Sequence, residues 1–374
     1  MIKVGIITVH NSPSFGASLQ SYALYRYLLN QGVECSIIDL YRPANDGFKS
    51  SKKYISYKEK KRSFLKKIRS FVKRIIKGSS SKRSWKHVSK MKFDEFNSVI
   101  RKSKPYYCID DLYLNPPQYD IYISGSDQLW NPDQPYCVEP YFLTFVNNGG
   151  RKISYASSIG LSGLKDAIAN DYKKWLADFD AIAVREKTAQ QIVHSLLHRD
   201  VPLVLDPTFL LDKEVWEAEL IPPSKTNYIL LFTLGSNESL ANIAYRYAQE
   251  KGFQIIGIGN WENSWPYIKK CDDIGPREFL GFIKNAEAVF TDSFHGTVFS
   301  IIFGVKRIIP YVSKTSKRGS RIVDLLRLFN LDHLLVSEEM SIEIDEIDWT
   351  KVVVLLNRYK EKSRGYLEWA MNQA

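Results

Sequence analysis

AVFTDSFHGTVFSIIFGV, residues 288–305, places a short apolar run, a polar turn and a second apolar run in direct succession. The first run is short and rich in β-favouring residues, which predicts a buried strand. The second run is long enough for a helix that opens near His295. A strand, a tight turn and a helix in this order are the repeating unit of an α/β fold.

The turn itself carries the polar side chains Asp292, Ser293, His295 and Thr297 where burial would favour apolar ones. A helix N-terminus attracts anions, because its first N–H groups lack partners and the helix dipole adds positive potential. His295 is a candidate general acid or phosphate ligand, and Gly296 permits close backbone approach. The alternative is a histidine packed between domains with its ring satisfied by a carbonyl.

The same alternation of strands and helices runs through the whole second half of the chain. It restarts after the proline-containing segment IPPSK at 221–225, which predicts a domain boundary. We therefore expect an α/β protein with two doubly wound Rossmann-like domains that face a cleft, and a terminal helix that crosses back. The expected parts are an N-terminal domain at 1–222, a C-terminal domain at 226–345 and the helix at 350–374.

The N-terminal domain opens with a βαβ unit. KVGIITV (3–9) and ECSIIDL (34–40) read as strands that flank a helix at 16–32. Gly16 lies at the helix entrance, either beside an anion or in an ordinary turn, and Gln20 follows in the same helix. The spacing matches no dinucleotide fingerprint.

Further predicted strands in this domain end in polar residues, as strands do where they face the ligand crevice of an open parallel sheet. Segments 152–160, 181–185 and 202–206 are expected strands of this kind. Asp127 is a candidate general base or hydroxyl-binding group, or else a helix cap. Arg185 is a candidate anion ligand or half of an ordinary charged pair with Glu186. The strand at 119–124 leads into four candidate site residues: Ser126, Asp127, Gln128 and Trp130.

The net charge of +11 comes from one segment. Residues 49–92 hold 18 Lys and Arg against the single acidic residue Glu59, whereas the rest of the chain holds 34 basic and 40 acidic residues. Within this insertion, residues 60–77 have the spacing of a basic amphipathic helix. Contact with an anionic membrane is the favoured interpretation. Packing on a neighbouring domain is the alternative, and no nucleic-acid motif accompanies the charge.

Other features of the chain indicate a cytoplasmic protein, peripheral at the inner face of the membrane if the basic helix docks there. The four cysteines lie far apart, which is typical of free thiols in a reducing compartment. The N-terminal run leads into a polar loop without a cleavage site for a signal peptide. The apolar run at 298–305 is far shorter than the roughly 20 residues that span a bilayer. No metal-binding spacing is visible, and no cofactor is expected.

Five motifs in this order and spacing resemble the polysaccharide pyruvyl transferase family. They are GxxLQxYAL from Gly16, GSDQLWN (125–131), VREK (184–187), DPTFLL (206–211) and TDSFHGTVFSIIFG (291–304). The resemblance implies a GT-B-like fold and transfer of a pyruvyl group from phosphoenolpyruvate to a sugar as a cyclic ketal. By matching motifs it implies that His295 is the acid or phosphate ligand and that Arg185 clamps the donor. The partners would be phosphoenolpyruvate and a glycan acceptor. Docking of the basic helix at the inner leaflet would suit a lipid-linked glycan.

The family also implies an Arg two residues before this histidine, where the chain has Ser293. Either Arg318 or Arg321, from KTSKRGSRI, supplies the cation, or the donor site differs. Two other functions therefore stay open: a nucleotide-sugar glycosyltransferase of the same fold, and a noncatalytic membrane-docked assembly protein for polysaccharide.

Overall fold

The computed structural model describes most of the chain. The described residues are 2–43, 45–51, 53–54, 82–134, 139–235, 237–259, 265–313, 319–336 and 344–372. The predicted amphipathic helix at 60–77 and the candidate Arg318 lie outside them, so both stay predictions. No helix in these ranges is long and apolar enough to cross a membrane.

The first half of the chain forms a four-stranded, all-parallel sheet in the order β2-β1-β3-β4. In the register of this sheet, Val4 lies opposite both Cys35 and Ile121. Its elements are β1 (Lys3–Ile7), α1 (Phe15–Asn30), β2 (Glu34–Ile37), α2 (Lys82–Ser98), α3 (Ile109–Leu114), β3 (Ile121–Ser124), β4 (Arg151–Ser154), α4 (Asp166–Ala177), α5 (Lys187–Leu197) and α6 (Lys213–Glu219).

The predicted strands at 181–185 and 202–206 are wrong as regular strands. Ala181 and Val184 make only isolated parallel bridges, and Leu203 bridges Val184. The chain then turns at Pro207–Phe209 in a short 3₁₀ helix. These segments extend the sheet edge beyond β4 without forming a continuous ladder of hydrogen bonds.

The second half forms a five-stranded parallel sheet in the order β7-β6-β5-β8-β9. The short strand β7 is the one member that the sequence did not predict. The elements are β5 (Tyr228–Phe232), α7 (Glu238–Lys251), β6 (Gln254–Ile258), β7 (Ile268–Lys270), α8 (Pro276–Lys284), β8 (Ala288–Thr291), α9 (Phe294–Phe303), β9 (Ile308–Pro310), α10 (Ser320–Leu328) and α11 (Trp349–Asn372).

Helix α11 returns to the first half. Tyr366 donates a hydrogen bond to the carbonyl of Ser154 at the end of β4, and the Leu205 N–H donates to the Ser363 hydroxyl. Both bonds are buried, so they anchor the helix where water cannot compete. The prediction of two parallel α/β halves with a helix that crosses back is confirmed, and this is a GT-B-like arrangement.

Each sheet has a switch point, where the chain reverses the direction in which it adds strands. The order of the strands places one between β1 and β3 and the other between β5 and β8. Ligands of open α/β sheets bind outside the carboxyl ends of strands at such points. Asp127 lies in the loop that follows β3, and His295 lies in the first turn of the helix that follows β8. Asp127 pairs with Arg185, which pairs with Asp206 beside His295, so the two switch points face one cleft.

Candidate functional site

His295 lies in the first turn of α9 at the cleft. The Ser293 hydroxyl caps this helix by accepting a hydrogen bond from the Gly296 N–H at 3.3 Å. The His295 ring is 9% exposed, and its Nε2 has no hydrogen-bond partner among the described residues. Nε2 lies 3.6 Å from Oδ2 of Asp206, beyond hydrogen-bond distance. This nitrogen is therefore available to donate or accept a hydrogen bond at the cleft.

Gly16, in the first turn of α1, lies directly against the imidazole ring of His295. A Cβ built on Gly16 would lie 2.1 Å from Nδ1 of His295. The first turn of α1 therefore contacts the first turn of α9 across the cleft, and only glycine leaves room for the imidazole. The structure assigns Gly16 to this contact between halves, which neither sequence interpretation of the residue anticipated.

Replacing Gly16 with alanine is expected to displace the ring and to destabilise the fold by about 1–3 kcal/mol, as overpacking does in a filled core. Gly163→Ala is the matched control, since nothing lies within 4 Å of a Cβ there. Urea denaturation measures both variants. Equal stability of the two variants would show that α1 and α9 do not contact each other as described.

Arg185 forms a buried ion-pair network with two carboxylates. Its guanidinium donates to Asp206 at 2.6 Å and to Asp127 at 3.2 Å, and its side chain is 1% exposed. Its Nε has no hydrogen-bond partner among the described residues. Asp206 is fully buried and also accepts from the N–H and hydroxyl of Thr208.

These contacts keep both carboxyl groups ionised. Burial raises the pKa of Asp206, but the adjacent His295 ring and the Arg185 guanidinium outweigh it and hold the pKa well below its ordinary value. For Asp127, burial also raises the pKa, and the charges of Arg185, His295 and Arg321 together lower it below the usual range. The site therefore holds two permanent carboxylates between its cations.

Arg321 brings a second guanidinium to the same place from α10. Its side chain lies 5.5 Å from the centroid of the Phe294 ring, and that of Arg185 lies 4.6 Å from it. Such contacts are favourable because the face of an aromatic ring is negative. The side-chain amide of Gln128 lies within hydrogen-bond distance of Arg321, 2.6 Å at the nearest, and would accept from it if the amide oxygen faced α10. Arg321 and Gln128 thus join the two halves.

Gln20 and Ser126 hold the loop after β3. The side-chain oxygen of Gln20 accepts a hydrogen bond from the N–H of Ser126, and its side-chain nitrogen donates to the Thr8 hydroxyl. The Thr8 hydroxyl in turn donates to the backbone carbonyl of Ser126. Gln20 is fully buried with its amide engaged, so it positions the loop rather than contacting a substrate. The Ser126 hydroxyl lies within the ion-pair network, 3.3 Å from both Arg185 and Asp206.

Three candidates from the sequence do not face the cleft as binding residues would. Trp130 is 0% exposed in the hydrophobic core and donates its indole N–H to the Tyr141 carbonyl. Thr297 is equally buried and donates to the Ser293 carbonyl. Gly296 is required because a Cβ would lie 2.5 Å from the Thr291 hydroxyl. We therefore expect these residues to shape the site rather than to contact a ligand.

Two residues of the site were missed in the sequence. Asp206 was noted only as a strand end, although its carboxylate lies at the centre of the network. Phe294 was not singled out, although its ring contacts both guanidinium groups. The polar position of Asp206 directly after an apolar run was the signal that could have identified it. Nothing in the local pattern marks Phe294.

The first turns of four helices contribute to the electrostatics of this cleft. Helices α1, α5, α9 and α10 begin at or beside Gly16, Arg185, Phe294 and Arg321. Their N-terminal N–H groups add positive potential to the two guanidinium groups. Within the described ranges, no group of three His, Cys, Asp or Glu residues is arranged to hold a metal ion. The cleft therefore combines the guanidinium groups of Arg185 and Arg321 with the carboxylates of Asp127 and Asp206.

Several solved structures are similar to this chain at low sequence identity. One is UDP-N-acetylglucosamine 2-epimerase from Rickettsia bellii, with 10% identity, a TM-score of 0.48 and coverage of 100% of this chain and 97% of the other. A second is UDP-GlcNAc 2-epimerase from Methanocaldococcus jannaschii, with 14% identity, a TM-score of 0.45 and coverage of 100% of this chain and 94% of the other. A third is a UDP-glucosyltransferase from Polygonum tinctorium, with 11% identity, a TM-score of 0.39 and coverage of 99% of this chain and 94% of the other.

Among curated proteins, none matches this chain. A family model described as polysaccharide pyruvyl transferase matches residues 15–309. This range includes the first turn of α1, the loop after β3, the Arg185–Asp206 pair and His295, so it contains most of the cleft described above. The chain belongs to the polysaccharide pyruvyl transferase family, and it is a transferase.

Proposed function

We propose that the protein transfers the pyruvyl group of phosphoenolpyruvate onto a sugar of a surface-polysaccharide precursor and forms a cyclic ketal. The observation that carries the proposal is a pair of buried nitrogen atoms without partners, Nε2 of His295 and Nε of Arg185. They belong to one cluster with Arg321, and all three groups can donate hydrogen bonds to an anion.

Phosphoenolpyruvate matches this set of donors. Its carboxylate and phosphate are planar or multidentate acceptors of the kind that guanidinium groups bind best. The Ser293 hydroxyl caps α9. Serine is uncharged, so position 293 supplies no cation. Arg321 lies beside the Phe294 ring and provides one from α10 instead. The departure of this chain from the family pattern at Ser293 is thereby compensated within the same cleft.

The proposed chemistry uses one proton donor and removes two hydroxyl protons. His295 gives a proton to C3 of the enol, which becomes the methyl group, while C2 develops positive charge. The first sugar hydroxyl adds to C2 and loses its proton. The second hydroxyl adds in turn, displaces phosphate from C2 and loses its proton as well. One of the two hydroxyl protons restores His295 and the other leaves with phosphate, so atoms and charge balance.

Asp127 has the position to bind the acceptor. Its carboxylate is 17% exposed, unlike that of Asp206, which is fully buried. The lowered pKa of Asp127 makes it a weak base in the ground state, so its part is to accept the hydrogen bond of a sugar hydroxyl and to orient the oxygen toward C2. It also stabilises the positive charge that develops there.

The acceptor would reach this cleft at the inner face of the cytoplasmic membrane. The charge of residues 49–92 supports this placement, since a basic surface concentrates the enzyme at anionic lipids, where a lipid-linked glycan would lie. The acceptor would lie on the N-terminal half, because Asp127 belongs to that half. The donor would lie on the C-terminal half, which holds His295 and Arg321.

Donor binding tests this proposal. Phosphoenolpyruvate at a hundredfold excess over Kd is expected to stabilise the protein by roughly 2.7 kcal/mol, measured as a thermal shift. Arg321→Gln is expected to weaken binding by about 10- to 100-fold, because hydrogen bonds to charged groups contribute about 1.5–3 kcal/mol. Arg327→Gln, an exposed position on the same helix, is the matched control. A shift with UDP or a UDP-sugar and none with phosphoenolpyruvate would favour the glycosyltransferase instead.

A further inference from the structure

Four phenylalanine rings join the two halves directly behind Gly16. Phe15, the first residue of α1, stacks on Phe279 of α8 at 4.4 Å between centroids with an angle of 8° between ring planes. Its ring also lies 5.1 Å from Phe93 of α2 and 5.9 Å from Phe232 at the end of β5. We call these four residues the aromatic clasp.

Helix α2 contributes Phe93 to the clasp and contacts both halves of the protein. It follows the basic insertion in sequence, yet it packs on the second half as well as on α1. Lys92 pairs with Glu278 of α8 at 2.7 Å, and the Ser89 hydroxyl donates to the Ile274 carbonyl at 2.9 Å. Asn97 donates to the Ser18 hydroxyl of α1. One helix therefore contacts both walls of the cleft.

We infer that Phe15 is a positioning residue for His295. It precedes Gly16, whose backbone contacts the imidazole, and its own ring is held by side chains from α2, α8 and β5. The clasp therefore sets how close the first turn of α1 lies to the first turn of α9. Without it, one of the contacts that hold the first turn of α1 beside the imidazole would be lost. The catalytic consequence rests on the proposed function.

The donor ligands depend on other contacts. Arg185 is held by Asp206 and Asp127, and Arg321 is held by Phe294 and Gln128. None of these residues belongs to the clasp. Loss of Phe15 should therefore move His295 relative to C3 while it leaves the guanidinium groups of Arg185 and Arg321 in place. Misplacement of a reacting group by about 1 Å costs up to about 100-fold in rate.

Chemical labelling tests the placement of His295 without any assay of activity. Diethyl pyrocarbonate modifies accessible imidazole nitrogens, and mass spectrometry measures the rate at each histidine. Phe15→Ala should raise the labelling rate of His295 at least fivefold. His194, whose side chain is 57% exposed, is the internal standard and should not change. Phe253→Ala, a half-buried phenylalanine next to the start of β6, is the matched control and should leave His295 protected.

Kinetics tests the consequence for transfer. Phe15→Ala should lower kcat by about 10- to 100-fold. It should raise KM for phosphoenolpyruvate by a smaller factor, because His295 is only one of the three donors to the anion. Phe279→Leu, on the other side of the stack, should change both readouts in the same direction, and Phe15→Tyr should restore them. Unchanged labelling of His295 in both folded variants, or an equal effect of Phe253→Ala, would overturn the inference. A labelling change in a protein that transfers no pyruvyl group would keep the inference and refute the proposed function.

Discussion

His295→Ala is expected to lower kcat for pyruvyl transfer by about 10²- to 10⁴-fold, the usual contribution of a positioned general acid. In the proposed mechanism, protonation of C3 by His295 allows the first hydroxyl to add. Arg185 and Arg321 stay in position, so phosphoenolpyruvate should still bind, with an affinity reduced by the loss of one donor. Steady-state kinetics separates the two effects as a large change in kcat and a smaller one in KM.

The matched control is His194→Ala, which removes an exposed imidazole that pairs with Asp200. It should leave kcat within about twofold of wild type, as surface substitutions generally do. If His295→Ala retained wild-type kcat, the acid would have to be another group, and the unpartnered Nε2 would have a role in packing alone.

Asp206→Asn is expected to destabilise the protein by about 3–5 kcal/mol, because it breaks a buried ion pair and leaves the charge of Arg185 without its nearest partner. Asp206 is fully buried, and its pair with Arg185 spans 2.6 Å. Urea denaturation at pH 7 measures this loss. Asp212→Asn is the control, since Asp212 pairs with Lys360 and Arg364 but its side chain is 58% exposed. That exposed interaction should contribute about 1 kcal/mol or less.

The effect of Asp206 should depend on pH in a defined direction. Its pKa is lowered in the folded protein, so its contribution to stability is fully present above the ordinary carboxyl pKa of about 4. The contribution is lost as the pH falls below that value toward the lower pKa of the folded state. The difference in unfolding free energy between wild type and Asp206→Asn should therefore shrink below about pH 4. A difference that stays constant down to pH 2 would contradict the ion pair.

The architecture could be predicted from local pattern because its strands are buried on both faces. Runs such as those of β1, β5 and β8 are short, apolar and separated by helical periodicity, and they appear as strands where they were expected. Segments 181–185 and 202–206 have the same composition but lie at a sheet edge, where neighbours supply only isolated bridges. Helix α2 was not predicted, because it begins inside the basic segment 49–92, which was interpreted from its charge.

The location of the site could also be predicted, but not the role of each residue. Asp127 and His295 meet because each follows the carboxyl end of a strand of its own sheet, and the two ends face one cleft. The direction of a side chain is not encoded in the same way, which is why Trp130 was expected at the cleft and lies in the core. Contacts between halves, such as Gly16 with His295, depend on domain packing, and no local pattern reports them.

A crystal structure with phosphoenolpyruvate bound, at a concentration well above the measured Kd, tests the central claim most directly. We predict that the anion lies in the cleft within hydrogen-bond distance of Arg185, Arg321 and Nε2 of His295, with C3 on the side of the imidazole. Density for the ligand outside this cluster, or in the cleft but turned away from His295, would contradict the account.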